Sequence, residues 1–457
     1  MTQLRRDLGL WGAASIVVGT VIGSGIFLVP KTMIQQVGDP WMLFAVWIFG
    51  GVLSLAGALT YAELAAMLPE AGGEYNYLSE AYGPFWGFLY GWTQMWVAKS
   101  GSIATLATGF YLYLANFRPE LSVVAFVIPL PLGENFAPLE VRTGQLFAIG
   151  LILALGVLNW FGVKVGGGVQ IGVTILKVAL IGGIIGVGLF GSGSGSGPSA
   201  GGAFVGATGG VAGFFAALVA ALWAYDGWNN VSMVSSEIKN PQRNLPLALI
   251  YGTGAVVAIY LATNFAYFHV LNANEVGHSD RVAATMMHRV LGNWGANAVS
   301  IAAMVSIFAA LNGSILTGSR VPYALARDGY FFRRFATVSE AHHVPGFSIL
   351  ALSAWSCVLL LSGRYDQLLN LVIFPSWILY GMATAAVIVL RRKRPDLHRP
   401  YRTLGYPVVP VLFVLVAVLL LYFTLRNSPR ESILGLVLIA AGFPFYRHWK
   451  RQLSHGR

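Results

Sequence analysis

Apolar runs of about 20 residues recur from one end of this sequence to the other, and that recurrence most limits what the chain can become. A helix of that length crosses the hydrocarbon of a bilayer, whereas soluble elements alternate apolar and polar faces. Only 10% of the residues are charged, against roughly a quarter in soluble domains. The chain is therefore expected to be an all-α polytopic membrane protein. Twelve transmembrane helices are predicted, near 11–34, 42–67, 84–116, 143–161, 165–190, 210–234, 246–270, 294–325, 347–361, 367–390, 407–425 and 431–446.

The net charge of +11 would suggest nucleic acid in a soluble protein. Here the basic residues fall at every second gap: Arg5 and Arg6, Lys164, Lys239 and Arg243, 327–334, 391–394 and 447–457. The opposite gaps hold only Arg118, Arg142, Arg281, Arg289, Arg364, Arg426 and Arg430. This is the positive-inside pattern, so both termini are placed in the cytoplasm and no nucleic acid partner is expected. The stretch before the first span is too short for a cleaved signal peptide. A single cysteine, Cys357, excludes an intrachain disulfide and a cysteine metal site. His342 and His343 are read as surface residues; no metal and no cofactor is predicted.

Two spans are interrupted. Gly19-Thr20-Val21-Ile22-Gly23-Ser24-Gly25-Ile26-Phe27 breaks the first, and Ala224-Tyr225-Asp226-Gly227-Trp228-Asn229-Asn230 breaks the sixth. Non-helical backbone survives at membrane depth only where it is buried in protein or lines a cavity. Matching interruptions in two halves of a chain point to a transporter's substrate site. Counting five helices before the glycine-serine run 191–197 and five after it gives an inverted repeat whose first helices are the discontinuous ones, helices 1 and 6. The expected organisation is a cytoplasmic segment 1–10, a first repeat 11–190, an external linker 191–209 and a second repeat 210–390. A basic loop 391–406, peripheral helices 407–446 and a cytoplasmic tail 447–457 complete it.

A broken helix offers both partners that a zwitterion needs. The resumed half presents unpaired amides and a positive dipole end, assigning the substrate carboxylate to Ser24, Gly25 and Ile26, with Gly23 and Gly25 allowing close approach. The carbonyls of Val18, Gly19 and Val21, and of Leu222, Trp223 and Tyr225, are candidates for the ammonium. Asp226 is a rare carboxylate at this depth, facing the substrate or internal water and possible in selectivity. Trp223 could close over the site as a lid or be a packing residue. Lys177 could tie the fifth helix to the first break in place of a sodium ion, or snorkel. Lys99 has no assigned role. The competing reading of Gly19, Gly23 and Gly25 is a packing stripe in an unbroken helix.

Gly23-Ser24-Gly25-Ile26-Phe27, Tyr61-Ala62-Glu63-Leu64, Gly72-Gly73-Glu74-Tyr75 and Tyr225-Asp226-Gly227-Trp228-Asn229 resemble the amino acid–polyamine–organocation superfamily. The segments Glu237 to Pro246, Asn312-Gly313-Ser314, Ala326-Arg327-Asp328-Gly329 and Pro395 to Arg402 resemble its L-type amino acid transporter branch. The resemblance implies a LeuT-like fold and sodium-independent exchange of L-amino acids across the plasma membrane by alternating access. It places the carboxylate on Gly23 to Gly25 and the amino group on carbonyls near Ile22 and Trp223. Trp223 becomes the gate, and Lys177 the link between helices 5 and 1.

Animal members pair with a glycoprotein through a cysteine between helices 3 and 4. The stretch Arg118 to Arg142 has none, so no disulfide-linked partner is expected and the chain is compatible with a monomer in a bacterial inner membrane. Trp223 is bulkier than the phenylalanine often found there, which favours small neutral substrates such as alanine or serine. Proton-coupled symport and a transport-inactive amino acid sensor are the alternatives. No catalytic pairing or phosphate loop suggests an enzyme.

Overall fold

A computed structural model describes residues 4–128, 139–191, 202–362 and 365–455. The first span is two helices, α1 (Leu10–Val21) and α2 (Gly25–Val37), bent by 40° at the break. Then come α3 (Pro40–Met67), α4 (Glu74–Tyr82), α5 (Pro84–Thr93) and, after a π-turn over Gln94–Ala98, α6 (Lys99–Leu114). The antiparallel pair β1 (Val124–Ile128) and β2 (Leu139–Arg142) forms the one sheet among the described residues, a departure from the all-α expectation; it precedes α7 (Thr143–Trp160) and α8 (Val163–Phe190). The glycine-serine run expected as a linker lies outside the described residues, apart from Gly191.

The chain resumes with α9 (Gly210–Tyr225), α10 (Asn230–Met233), α11 (Pro241–Val270), α12 (Ala273–His278) and α13 (Val282–Gly318). Last come α14 (Arg320–Arg327), α15 (Gly346–Ser362), α16 (Tyr365–Lys393), α17 (Val408–Asn427), α18 (Pro429–Ala440) and α19 (Gly442–His455). Seven described helices are long and apolar enough to cross a membrane, and the bent α1–α2 pair is an eighth. The remaining apolar helices are shorter.

Sequence chemistry explains the boundaries. Asp39 caps α3 by accepting from the Met42 amide at 2.9 Å, and Pro40 occupies the first helical position, where its missing N–H is not needed. α13 kinks at Gly292, whose φ is 65°. α17 is apolar all round, yet only Pro410, Phe413, Ala417, Leu420 and Thr424 are buried, a single helical stripe against the bundle. Its remaining apolar side chains, such as Val411, Leu415 and Val418, are exposed, as expected of a lipid-facing helix.

α1 packs against α8, α11 and α13, while α2 packs against α9, so the two halves of the first span belong to different neighbourhoods. The end of the molecule bearing the basic loops is held by ion pairs. Arg320 and Glu237, both fully buried, meet in a two-pronged pair at 2.7 and 2.9 Å. Such a pair resists loss of either partner by about 3–5 kcal/mol, because the survivor would be an uncompensated buried charge. Glu237 also fixes a main-chain edge: the Leu8 amide donates to its carbonyl at 3.0 Å, and the Lys239 amide donates to Leu8 at 2.8 Å.

The acidic residues flanking the turn between the second and third spans complement Lys239 and Arg243 in charge but do not pair with them. Those two side chains stand exposed at the start of α11. α16 runs beside α3 and α4, so its basic end reaches the loop first: Arg391 binds Glu63 at 2.9 and 2.6 Å, and Arg394 binds Glu80 at 3.0 Å. Glu70 meets Arg327 at 3.0 Å. The segment does dock beyond the sixth span, with the Gly72 amide donating to the Met233 carbonyl and the Glu74 carboxylate accepting from Asn229 and Ser232.

Candidate functional site

Both interruptions are real breaks, and they meet. α1 stops at Val21, Ile22 turns extended with ψ of 90°, and α2 starts at Gly25. α9 stops at Tyr225, Asp226 is extended, and Gly227 adopts φ of 107°, a conformation that a side chain would strain. A Cβ at Gly25 would lie 2.6 Å from Ala224 Cβ and 2.7 Å from its Cα, so only glycine lets the start of α2 touch the end of α9. The Thr20 hydroxyl sits 2.7 Å from the Ile16 carbonyl and 2.9 Å from that of Gly227, and its single proton serves one at a time. The packing-stripe reading of the glycines captures their close contacts; the helix is nonetheless interrupted.

The amides at the start of α2 face this junction. Phe27 and Leu28 both donate to the Ser24 carbonyl at 3.2 Å, so Gly25 and Ile26 carry the first-turn amides that no intrahelical carbonyl can reach. The Ser24 side chain does not cap the helix. Gly23, Ser24 and Gly25 line a cavity of ≈ 20 Å³ together with Trp223 and Asp226. That space suits a single water rather than an amino acid. Trp223 and Leu106 form its bulky walls, and Thr20, Ser102, Asn230 and Ser314 its polar ones. An amino acid fits only after these walls move.

The carbonyl end of α1 is heavily engaged. The Lys177 ammonium, fully buried on α8, donates to Gly19 at 2.7 Å and to Ile22 at 2.5 Å. Ser306 of α13 also donates to the Ile22 carbonyl at 2.9 Å. The Tyr260 hydroxyl on α11 lies 2.9 Å from the Val21 carbonyl and 2.7 Å from that of Ala224, joining both breaks. The Val18 carbonyl accepts from the Ile22 amide, and that of Trp223 from Asp226. The carbonyls of Val18, Gly19, Val21 and Trp223 each keep a second lone pair for a ligand, whereas that of Ile22 already accepts twice. Leu222 and Tyr225 are buried in the last turn of α9, where the Tyr225 hydroxyl turns away to the Trp47 carbonyl at 3.1 Å.

Below the second break lies a buried polar group. Asp226 accepts from the Tyr380 hydroxyl at 2.8 Å. Lys99, just after the π-turn, donates to Asn230 at 2.6 Å. Glu74, fully buried, accepts from Tyr90 at 2.9 Å, from Ser232 at 3.3 Å and from the Asn229 amide. All of the named donors to Glu74 are neutral.

Sequence reasoning placed Gly23 to Ile26, Lys177, Trp223 and Asp226 around one junction, and the structure brings them together. It missed Tyr260, Tyr380 and Ser306. A tyrosine or serine in an apolar run has no periodicity of its own that separates it from core. Asn230 and Thr20 lay within the interrupted segments, where position alone could have marked them.

A family model described as amino acid permease matches residues 8–442. The chain is 34% identical to the serine/threonine exchanger SteT of Bacillus subtilis over 98% of either chain. It is 34% identical to the human b(0,+)-type amino acid transporter 1, covering 97% of this chain and 88% of that one. It is 32% identical to the human cystine/glutamate transporter, covering 97% and 85%. The chain belongs to the amino acid permease family, within the amino acid–polyamine–organocation superfamily, and is a multi-pass amino acid transporter rather than an enzyme.

Proposed function

We propose that the chain exchanges small neutral L-amino acids, such as serine or alanine, across a bacterial inner membrane by sodium-independent alternating access. The observation that carries this reading is the junction itself, where the amide start of α2 and the carbonyl ends of α1 and α9 converge on one cavity. Gly23, Ser24, Gly25 and Ile26 take the carboxylate. Carbonyls of Val18, Gly19, Val21, Ile22, Leu222, Trp223 and Tyr225 are the acceptors available to the amino group, with Trp223 as the gate. Lys177 already holds two α1 carbonyls that a metal cation would need, which supports sodium independence. Similarity to a serine/threonine exchanger supports both the substrate class and exchange.

The same reading keeps twelve crossings in two five-helix repeats with two peripheral helices, and both termini in the cytoplasm. It requires no disulfide-linked glycoprotein, since the sole cysteine, Cys357, is buried in α15. Proton-coupled symport is the second reading, favoured by the carboxylate of Asp226 on the cavity wall. Proteoliposomes preloaded with labelled serine separate the two. Exchange predicts efflux that rises several-fold on adding external serine and is unchanged when sodium is replaced. Equal efflux with and without external serine rejects exchange, and uptake driven by a pH gradient alone selects symport.

A further inference from the structure

α18 ends one residue before α19 begins, and the two helices differ in kind. α18 exposes Ile433, Leu434, Leu436 and Val437, an apolar flank suited to lipid. α19 is amphipathic: Tyr446 and Trp449 are buried, while Arg447, Lys450 and Arg451 occupy exposed positions between and after them. The Tyr446 ring packs on Phe85 at 5.1 Å, and the Trp449 ring on Phe331 at 5.4 Å and Phe332 at 5.2 Å. The helix is thus pinned to the bundle at the end of an apolar segment, where an interfacial helix belongs.

Between α19 and the turn after α14 runs an open groove of ≈ 790 Å³. Its floor is Phe331, Phe332, Phe445 and Trp449, and its rim carries Arg333 and His448. Phe332 is 55% exposed and Phe445 45% exposed, a large apolar area for an otherwise basic surface.

The charges around this groove differ from the other basic residues at the same end. Arg327, Arg391, Arg394 and Arg399 all pair with glutamates. Among the described residues, Arg333, Arg334, Arg447 and Lys450 form no ion pair with a carboxylate. After Glu431 the sequence contains no acidic residue at all. Two of these cations lie over rings instead: Arg447 sits 4.3 Å from the Phe443 centroid and Lys450 5.9 Å from that of Tyr446.

We infer that this groove binds an anionic phospholipid of the leaflet on the side of the termini. The phosphate meets the unneutralised Arg333 on the rim, and the first part of an acyl chain lies on the aromatic floor, continuous with the lipid-facing flank of α18. Cations alone would suit any phosphate. The exposed aromatic floor specifies the lipid, since basic side chains beside interfacial aromatics are the pattern by which helices hold acidic headgroups.

The test uses the full chain purified in detergent and offered phosphatidylglycerol or phosphatidylcholine, with retained lipid read by native mass spectrometry. Phosphatidylglycerol is expected to remain bound under conditions that strip phosphatidylcholine. Arg333→Gln, which removes the arginine on the groove's rim, should retain it roughly fivefold more weakly, the effect of one surface cation. Phe445→Ala should weaken retention with all charges intact, whereas Arg118→Gln, a basic change elsewhere, should not. Equal retention of both lipids by the native chain overturns the inference, even where Arg333→Gln fails to fold. Displacement by inorganic phosphate with no effect of Phe445→Ala also overturns it.

Discussion

At the first break the carbonyl end of α1 meets the ammonium of Lys177; at the second the carbonyl end of α9 meets the carboxylate of Asp226. A helix C-terminus carries partial negative charge, so the first arrangement is favourable and the second is not. Lys177 is held by fixed main-chain acceptors on a neighbouring helix. Asp226 accepts from the Tyr380 hydroxyl and the Gly227 amide, with the cation of Lys99 bound nearby to Asn230. The comparison teaches that similar interruptions do different work. The first is locked electrostatically, beside the free amides that start α2. The second is poised, so that the charge of whatever enters the cavity matters there.

The largest effect should come from removing the contact that lets the two breaks touch. Gly25→Val is expected to abolish serine uptake in proteoliposomes, since its Cβ would press on the Ala224 main chain rather than on a flexible tip. Overpacking of this kind costs about 1–3 kcal/mol, with the α2 amides displaced as well. Wild-type uptake in a folded Gly25→Val protein would separate the breaks from function.

Next in size, Lys177→Met strips the Gly19 carbonyl of this donor, at about 1–3 kcal/mol, leaves that of Ile22 with Ser306 alone, and should reduce exchange at least tenfold. Tyr260→Phe removes one hydroxyl shared between the breaks and should cost about 1 kcal/mol, a roughly fivefold loss. The reverse ranking, measured as initial exchange rates, would show that Tyr260 rather than Lys177 secures the first break.

Asp226→Asn sharpens the contrast from the other side. Serine exchange is expected to persist within a few-fold, while competition by lysine weakens relative to that by glutamate. An unchanged competitor profile would deny the second break its charge role.

The smallest effect lies away from both breaks. Hydrogen bonds from Arg289 hold the Glu275 carboxyl below its ordinary range, helped by the Asn272 amide. A depressed folded value means the pair stabilises fully above the unfolded titration, near pH 4.3, and that its contribution is lost as pH falls through the lower folded value. The pair is largely exposed, so no more than about 1 kcal/mol is at stake. The difference in unfolding temperature between native protein and Glu275→Gln should shrink below pH 4; a constant difference would contradict the assignment.

Much of the site was legible because helix breaks are written in composition. Gly-Ser-Gly inside an apolar run, and Asp226-Gly227 inside another, announce themselves against a background where neither belongs. Lys177 was legible for the same reason, as a charge at a depth that water does not reach. Tyr260, Tyr380 and Ser306 were not, because their roles come from hydroxyls delivered by α11, α16 and α13 across the bundle, and side-chain direction between helices is fixed only by packing. The ion pairs of the acidic loop were not legible for a related reason. Sequence shows complementary charge, but the path of α16 beside α3 and α4 decides which arginines arrive.

The central claim is that main-chain groups of the two breaks grip both ends of a zwitterion. Competition for labelled serine uptake by L-serine, L-serine amide and ethanolamine in proteoliposomes tests it most directly. Only L-serine should compete, because the amide lacks the carboxylate that the α2 amides require and ethanolamine lacks the carboxyl group altogether. Comparable inhibition by all three compounds would contradict the account.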